Sequence, residues 1–459
     1  MASNSNMKTR LIVMNFLEFA IWGCYLVSMG IYLGNSPDKG GAGLGAYVYL
    51  FYTAQGLVSL FMPALVGIIA DKWVPAQKML SICHGISAIF MLLVGWYCWQ
   101  TPGNVQFSVI FTFYTLAIAF FMPTIGLANS VAFNALNKAG LDTVTAFPPI
   151  RVFGTVGFIC AELFVNFTDF QSSYMQFVSA GVIGLLLMIY ALTMPECPVN
   201  KGDNSQSISE KLGLSAFALF RNKTMAIFFI FSMLLGVCLQ ITNSYGTMFI
   251  ASFQNIAEFA NSWGAKNATA LTAISQASEA LCILLIPMCL KRFGIKGVML
   301  MAMLAWVIRF GFFGIGNTGS GIVFIIISCI VYGVAFDFFN VAGGLFVDQQ
   351  TDVKMRSSAQ GLFMIMTNGI GASVGTFIAG NYVVNKFVDM SANANAETNL
   401  AGWQTSWFIF AGYALTISIL FYFIFRTPTE AKQPPLKKEE VQGAMAIAAG
   451  EPEGMVEEK

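Results

Sequence analysis

Six charged side chains sit inside long apolar runs of this 459-residue chain: Glu18, Arg151, Glu162, Glu279, Arg309 and Asp337. At the centre of a lipid-spanning helix each costs roughly 2.5–3.5 kcal/mol on insertion scales, so such groups face a protein interior, water or a ligand. Asp337 is the sole charged residue between Gly321 and Phe346. Arg151, Thr155, Phe158 and Glu162 recur at i, i+4, i+7 and i+11, one stripe of a helix. Gln240 and Asn243 lie at i and i+3, and Gln276 and Glu279 repeat that spacing. Tyr332, Phe336 and Asn340 form a further stripe, with Asp337 about 100° round from Phe336. Glu18, Trp22 and Tyr25 share another face. Amides can meet polar edges in pairs, carboxylates accept from hydroxyls, and aromatic rings stack on planar groups. Together they suit a polar, planar, hydroxylated small molecule. The competing reading is interhelical hydrogen bonding, worth about 0.6 kcal/mol per contact in membranes, with Arg151 paired structurally to a carboxylate. Polar stripes on five helices favour binding. Arg309 reads as a snorkelling or structurally paired cation and His84 as a packed histidine, so both are left outside the site.

These residues need helices that cross a bilayer. Hydrophobic residues make up 56% of the chain and charged residues only 10%, against roughly 25% in soluble domains. Mean hydropathy is +0.69. Apolar runs of about 20 residues or more predict twelve helices, near 11–33, 45–70, 79–99, 105–135, 149–166, 174–194, 224–251, 268–290, 296–316, 321–347, 357–386 and 403–426. The N-terminal run is too long for a signal peptide and lacks a small-residue cleavage site, so it reads as a retained first span. A net charge of +1 points to no nucleic acid. The nine cysteines lie in apolar runs without CxxC spacing and read as buried hydrophobes. With a single histidine, His84, a histidine-based metal centre is not expected. No nucleophile–base constellation, metal motif or phosphate-binding glycine loop points to an enzyme.

Of the loop cations, only Lys39, Lys266 and Lys386 fall on one side; the rest, from Lys8 and Arg10 to Lys459, fall on the other. By the positive-inside rule both termini are cytoplasmic. The longest polar connection, 196–223, divides a six-helix half (1–195) from a second (224–426), and the charged tail 427–459 reads as disordered. Each half carries a short charged turn, GIIADKWVPAQK after the second helix and CLKRFGIKGVM after the eighth. Gly67, Asp71, Lys72 and Lys78 resemble the loop motif of the major facilitator superfamily. The expected fold is an all-α polytopic membrane protein, a major facilitator fold of 12 transmembrane helices in two six-helix halves, with the site near their midplane interface.

The blocks FMPALVGIIADKW, FPPIRVFGTVGF, VCLQITN, SQASE, VYGVAFDFFN, SAQGLFMIMTNG and WFIFAGY, in this order, resemble the nucleoside:proton symporter family within that superfamily. The resemblance implies proton-coupled nucleoside import by alternating access in a bacterial cytoplasmic membrane. It places Arg151, Thr155, Phe158, Gln240, Asn243, Gln276, Glu279, Tyr332, Phe336 and Asp337 against substrate. The amides and Arg151 then read the base, Phe158, Phe336 and Tyr332 wall the ring, and Glu279 and Asp337 take the ribose hydroxyls. Burial without a cation favours the protonated form of a carboxyl group, which makes Asp337 the first candidate to carry the coupling proton, ahead of Glu279, Glu18 and Glu162. Glu18 and Glu162 depart from the family pattern, which carries glutamine and an apolar residue there. The expected partners are nucleoside, proton and lipid, the expected state is a monomer, and no cofactor is implied beyond the proton. Alternatives are a proton-coupled carrier of sugars or drugs on the same fold, or a membrane sensor that binds a nucleoside without moving it.

Overall fold

The structure is a computed structural model and describes residues 2–199, 214–351, 356–391 and 394–426. Half of the interhalf connection (200–213), the tail 427–459 and the Asp71 side chain of the loop motif lie outside the described residues. Within them the chain folds as helices that trace twelve spans. In chain order these are α1 (Ala2–Tyr25), α2 (Val48–Lys72), α3 (Ala76–Gln100), α4 (Phe107–Lys138), α5 (Thr143–Phe167) and α6 (Met175–Ala191) in the first half. The second half holds α7 (Lys223–Ser252), α8 (Ala268–Cys282), α9 (295–315), α10 (Ile322–Gln350), α11 (356–387) and α12 (Ala396–Ile424).

Local chemistry sets the ends. Asn222 caps α7 by accepting from the Thr224 and Met225 amides, and Asn395 caps α12 from those of Glu397 and Thr398. α1 breaks at Leu26 and resumes over Met29–Gly34; the freed Leu26 carbonyl accepts from the Tyr52 hydroxyl at 2.6 Å. α8 and α9 run as one stretch of 48 helical residues. The charged loop expected between them shrinks to Gly294, whose φ of 66° and ψ of 174° make the kink. α5 begins earlier than the proline pair suggests, so Pro148 and Pro149 lie inside it. Their missing N–H groups forfeit bonds only to first-turn carbonyls, at the end of the helix. α11 carries two π-helical segments, Ile365–Gly371 and Ala379–Val384, of the kind often found where helices serve a site.

Within the first half α1 packs on α5 and α6, and α3 on α4 and α6. Within the second, α9 packs on α10 and α12, and α8 on α10. The α1–α5 crossing is close because two glycines face backbone: a Cβ on Gly23 would strike the Phe158 carbonyl, and one on Gly157 the Phe16 carbonyl. The halves meet through α2 with α11, α5 with α8, and the end of α1 with α7. Hydrogen bonds that join them cluster at the end of the bundle far from the N-terminus. Asn166 Nδ2 donates to Asn267 Oδ1 at 2.7 Å, and Asn166 Oδ1 accepts from the Ala270 amide at 3.1 Å. Gln171 donates to the Lys266 carbonyl and accepts from the Thr269 hydroxyl, both at 2.8 Å. Asn385 Nδ2 reaches the Ala46 carbonyl at 2.8 Å, and Lys39 bonds Asn255. Above this seal lies a surface cavity of about 480 Å³ between the loops that follow α1, α7 and α11.

Candidate functional site

The stripe on α5 points inward. Phe158 and Glu162 are buried and Arg151 and Thr155 half-buried, while Val152 and Val156, on the other face, are 55% and 39% exposed. The Arg151 guanidinium lies 3.8 Å over the Phe19 ring of α1. Phe158 meets Trp22 edge-on, with centroids 6.3 Å apart.

Across the interface, α7 supplies a linked pair of amides, Asn243 Nδ2 donating to Gln240 Oε1 at 3.3 Å. On α8 the Gln276 Oε1 is buried without a hydrogen-bond partner, and Glu279 lies within electrostatic reach of Arg151. Buried acceptors left unpaired in this way cost about 1–3 kcal/mol, a cost a bound donor would remove.

α10 serves two directions at once. Phe336 and Asn340 line a small cavity with Leu235, Gly236, Trp306 and Asn368, between α7, α9 and α11. Asp337, a third of a turn away, is directed to α8, within reach of Glu279 and Cys282, and its Oδ2 is buried without a partner. The Tyr332 and Phe336 rings lie parallel, 8° apart in plane with centroids at 5.8 Å.

Tyr332 is the centre of the charge cluster. Glu162, Glu279, Asp337 and Arg309 all act on it electrostatically. Glu162 is fully buried with both oxygens unpartnered, and it also feels Glu279. The cluster thus holds three carboxylates, from α5, α8 and α10. Arg151 acts on it through Glu279 and Arg309 through Tyr332. With all five groups ionised it carries one negative charge, and one proton makes it neutral.

Sequence reasoning left Arg309 outside the site as a snorkelling or structurally paired cation, and the fold fits the second reading. It is 1% exposed and does not snorkel. Its Nη1 donates to the Ser328 carbonyl at 2.7 Å, Ser275 and Thr242 hydroxyls lie at 3.4 Å, and its Cζ sits 4.6 Å above Tyr332. Hydroxyls from α7 and α8 hold the charge where lipid could not. The available signal was a lone arginine amid apolar residues.

Glu18 stands apart from the other three carboxylates. It lies against α3 and α4, where Oε2 is 2.7 Å from His84 Nε2 and Oε1 is 2.5 Å from Thr124 Oγ1. His84 and Thr124 were not among the expected site residues, because nothing in the sequence sets α3 and α4 beside that face of α1.

Helical spans in two halves, enclosing a polar, charge-bearing centre to which both halves contribute, define a secondary transporter of the major facilitator fold. The pattern of the family described as "Nucleoside H+ symporter" matches residues 5–430, and the chain belongs to that family. It is 46% identical over 418 residues to the xanthosine permease of Escherichia coli (strain K12), covering 91% of this chain and 95% of that one. It is 43% identical over 423 residues to the nucleoside permease NupG of the same organism, covering 92% and 96%. A crystal structure of the nucleoside transporter NupG superposes with a TM-score of 0.81 at 41% identity, covering 92% of this chain and all of that one. A bacterial homologue of the lysosomal transporter Spinster, at 14% identity and a TM-score of 0.65, shares the fold. The chain is therefore a multi-pass bacterial inner-membrane transporter and not an enzyme.

Proposed function

We propose that this protein imports nucleosides together with protons by alternating access, with both termini in the cytoplasm and the halves 1–195 and 224–426 moving against each other as a monomer. Arg151, Thr155 and Phe158 of α5 face Gln240, Asn243, Gln276 and Glu279 across the interface. The guanidinium and amides suit a base edge, Phe158, Tyr332 and Phe336 its flat faces, and Glu279 and Asp337 the ribose hydroxyls. The observation that carries this reading is the buried centre itself. Asp337, with an unpartnered oxygen, lies within a cluster that one proton neutralises, and Gln276, with another, sits at i−3 from Glu279 on α8. A carboxylate that takes the proton and also meets the substrate links the two by reciprocal coupling.

With the termini inside, the amide seal lies on the outer face, so the described conformation is closed on that side. The test is uptake of labelled uridine, adenosine, inosine and xanthosine by a transport-deficient strain, with and without an uncoupler, and with free sugars and bases as competitors. Uptake blocked by the uncoupler and competed by nucleosides alone is expected. Competition by sugars, or uptake indifferent to the uncoupler, would sink the reading. Counterflow of label in proteoliposomes excludes a sensor that binds without moving its ligand.

A further inference from the structure

Glu18, His84 and Thr124 join α1, α3 and α4 inside the first half, separate from the charge cluster at Tyr332. Glu18 and His84 are each 1% exposed, and Thr124 is fully buried. The Thr124 hydroxyl has one hydrogen and two oxygens beside it, Glu18 Oε1 at 2.5 Å and the Phe121 carbonyl at 2.6 Å. A carbonyl can only accept. If Glu18 is ionised, the hydroxyl must donate to it. If Glu18 carries a proton on Oε1, that proton goes to Thr124 and the hydroxyl turns to the Phe121 carbonyl. His84 Nδ1 is buried without a partner, which fits a neutral ring that donates from Nε2 to Glu18 Oε2 in both states. The trio therefore accepts or releases one proton by rotating one hydroxyl, with the Glu18 oxygens satisfied either way.

We propose that Glu18, His84 and Thr124 form a second proton-binding site, separate from the substrate-facing carboxylates and lodged within the first half. The proposal rests on the proton-coupled reading above and adds where a further proton is held. Cys83 of α3 and Tyr25 of α1 are within electrostatic reach of Glu18. The other titratable groups on these elements include Lys8, Arg10 and Cys24 of α1, Tyr49, Tyr52 and Lys72 of α2, Lys78, Tyr97 and Cys98 of α3, Tyr114 and Lys138 of α4, Arg151, Cys160 and Glu162 of α5, and Tyr190 of α6. The site touches the substrate path through aromatic rings. Phe121, whose carbonyl takes the hydroxyl, packs 6.2 Å from both His84 and Trp22, and Trp22 meets Phe158. A change at Glu18 is thus delivered to Phe158, on the inward stripe of α5.

His84 is the only histidine in the chain, so histidine-selective 15N labelling of full-length protein carrying a non-histidine tag reads this site alone. In reconstituted membranes the ring-nitrogen shifts of His84 should follow a one-proton step as the pH is varied. Glu18→Gln should abolish that step, and Thr124→Val should displace it. In the transport arm, Glu18→Gln should remove one step from the pH profile of uptake, about tenfold in occupancy ratio per pH unit, while counterflow at equal pH remains measurable. A His84 signal that ignores pH, or follows it identically in Glu18→Gln, overturns the proposal, as does an unchanged uptake profile in a variant that still exchanges label. Wild-type counterflow and uncoupler sensitivity test the transport reading on their own. The histidine spectrum decides the proton site even where that reading fails.

Discussion

Asp337 is held by no cation of its own helix and is buried with one oxygen unpaired. Replacing it by asparagine removes the ionisable group and keeps the shape. Asp337→Asn is expected to lose accumulation against a gradient while counterflow persists, and concentrative uptake by that variant would move the coupling proton elsewhere. Gln276→Leu deletes the unpaired acceptor on α8. If that oxygen receives a donor from substrate, half-saturation of uptake should rise about tenfold, the effect of one lost hydrogen bond of roughly 1–2 kcal/mol. Arg309→Lys keeps the charge and loses the fork that reaches Ser328 and covers Tyr332. Lysine cannot reproduce those bonds, so the variant should melt several degrees lower in detergent, and an unaltered melting temperature would remove Arg309 from the frame that holds Tyr332. Which residues belong inside the membrane was legible from charge against apolar background, since lipid rejects both signs alike. Which of them meet was not. The pairing of Glu18 with His84, and the burial of Arg309 against the Tyr332 ring, depend on which helices lie side by side, and periodicity along one helix carries no such information.

At the scale of elements, hydropathy placed eight of the twelve spans within three residues of where they lie, because bilayer thickness imposes their length, while ends of α1, α5, α8 and α12 differ by six to nine. The misjudged features are those where the backbone does something local. α5 absorbs Pro148 and Pro149 within its second turn. The turn between α8 and α9 is one left-handed glycine, and α11 changes to π geometry twice. None of these alters the hydrophobic pattern by which spans are found. The tight crossing of α1 and α5 is likewise invisible in composition and rests on Gly23 and Gly157 facing carbonyls. Gly157→Leu should force these helices apart, at a cost of at least about 1–3 kcal/mol. Lower thermal stability is expected, together with impaired uptake, since Arg151 and Phe158 ride on the displaced helix. A fully stable Gly157→Leu protein would show that the crossing has room to spare.

At the scale of the molecule, the halves are joined by amides and backbone groups at one end, and opening that end is what a transport cycle requires. Asn166→Cys with Asn267→Cys, in a background where the exposed Cys160 is serine, places two thiols where side chains now touch at 2.7 Å. Oxidation should stop uptake and reductant should restore it; uptake that continues through a formed cross-link would rule out opening there. The make-up of this seal has a further consequence. Amide hydrogen bonds exchanged for bonds to water differ by only about 0.5–1.5 kcal/mol each, so the sealed and open forms can lie close in energy without a large compensating force. Among the described residues, the bonds across the seal involve one side-chain charge, Lys39 on Asn255, and no pair of opposite charges. Dissolved ions screen charges and leave neutral dipoles nearly untouched. The carrier should therefore turn over at much the same rate in dilute fresh water as in a saline host fluid, its pace set by proton and solute and not by the salt outside.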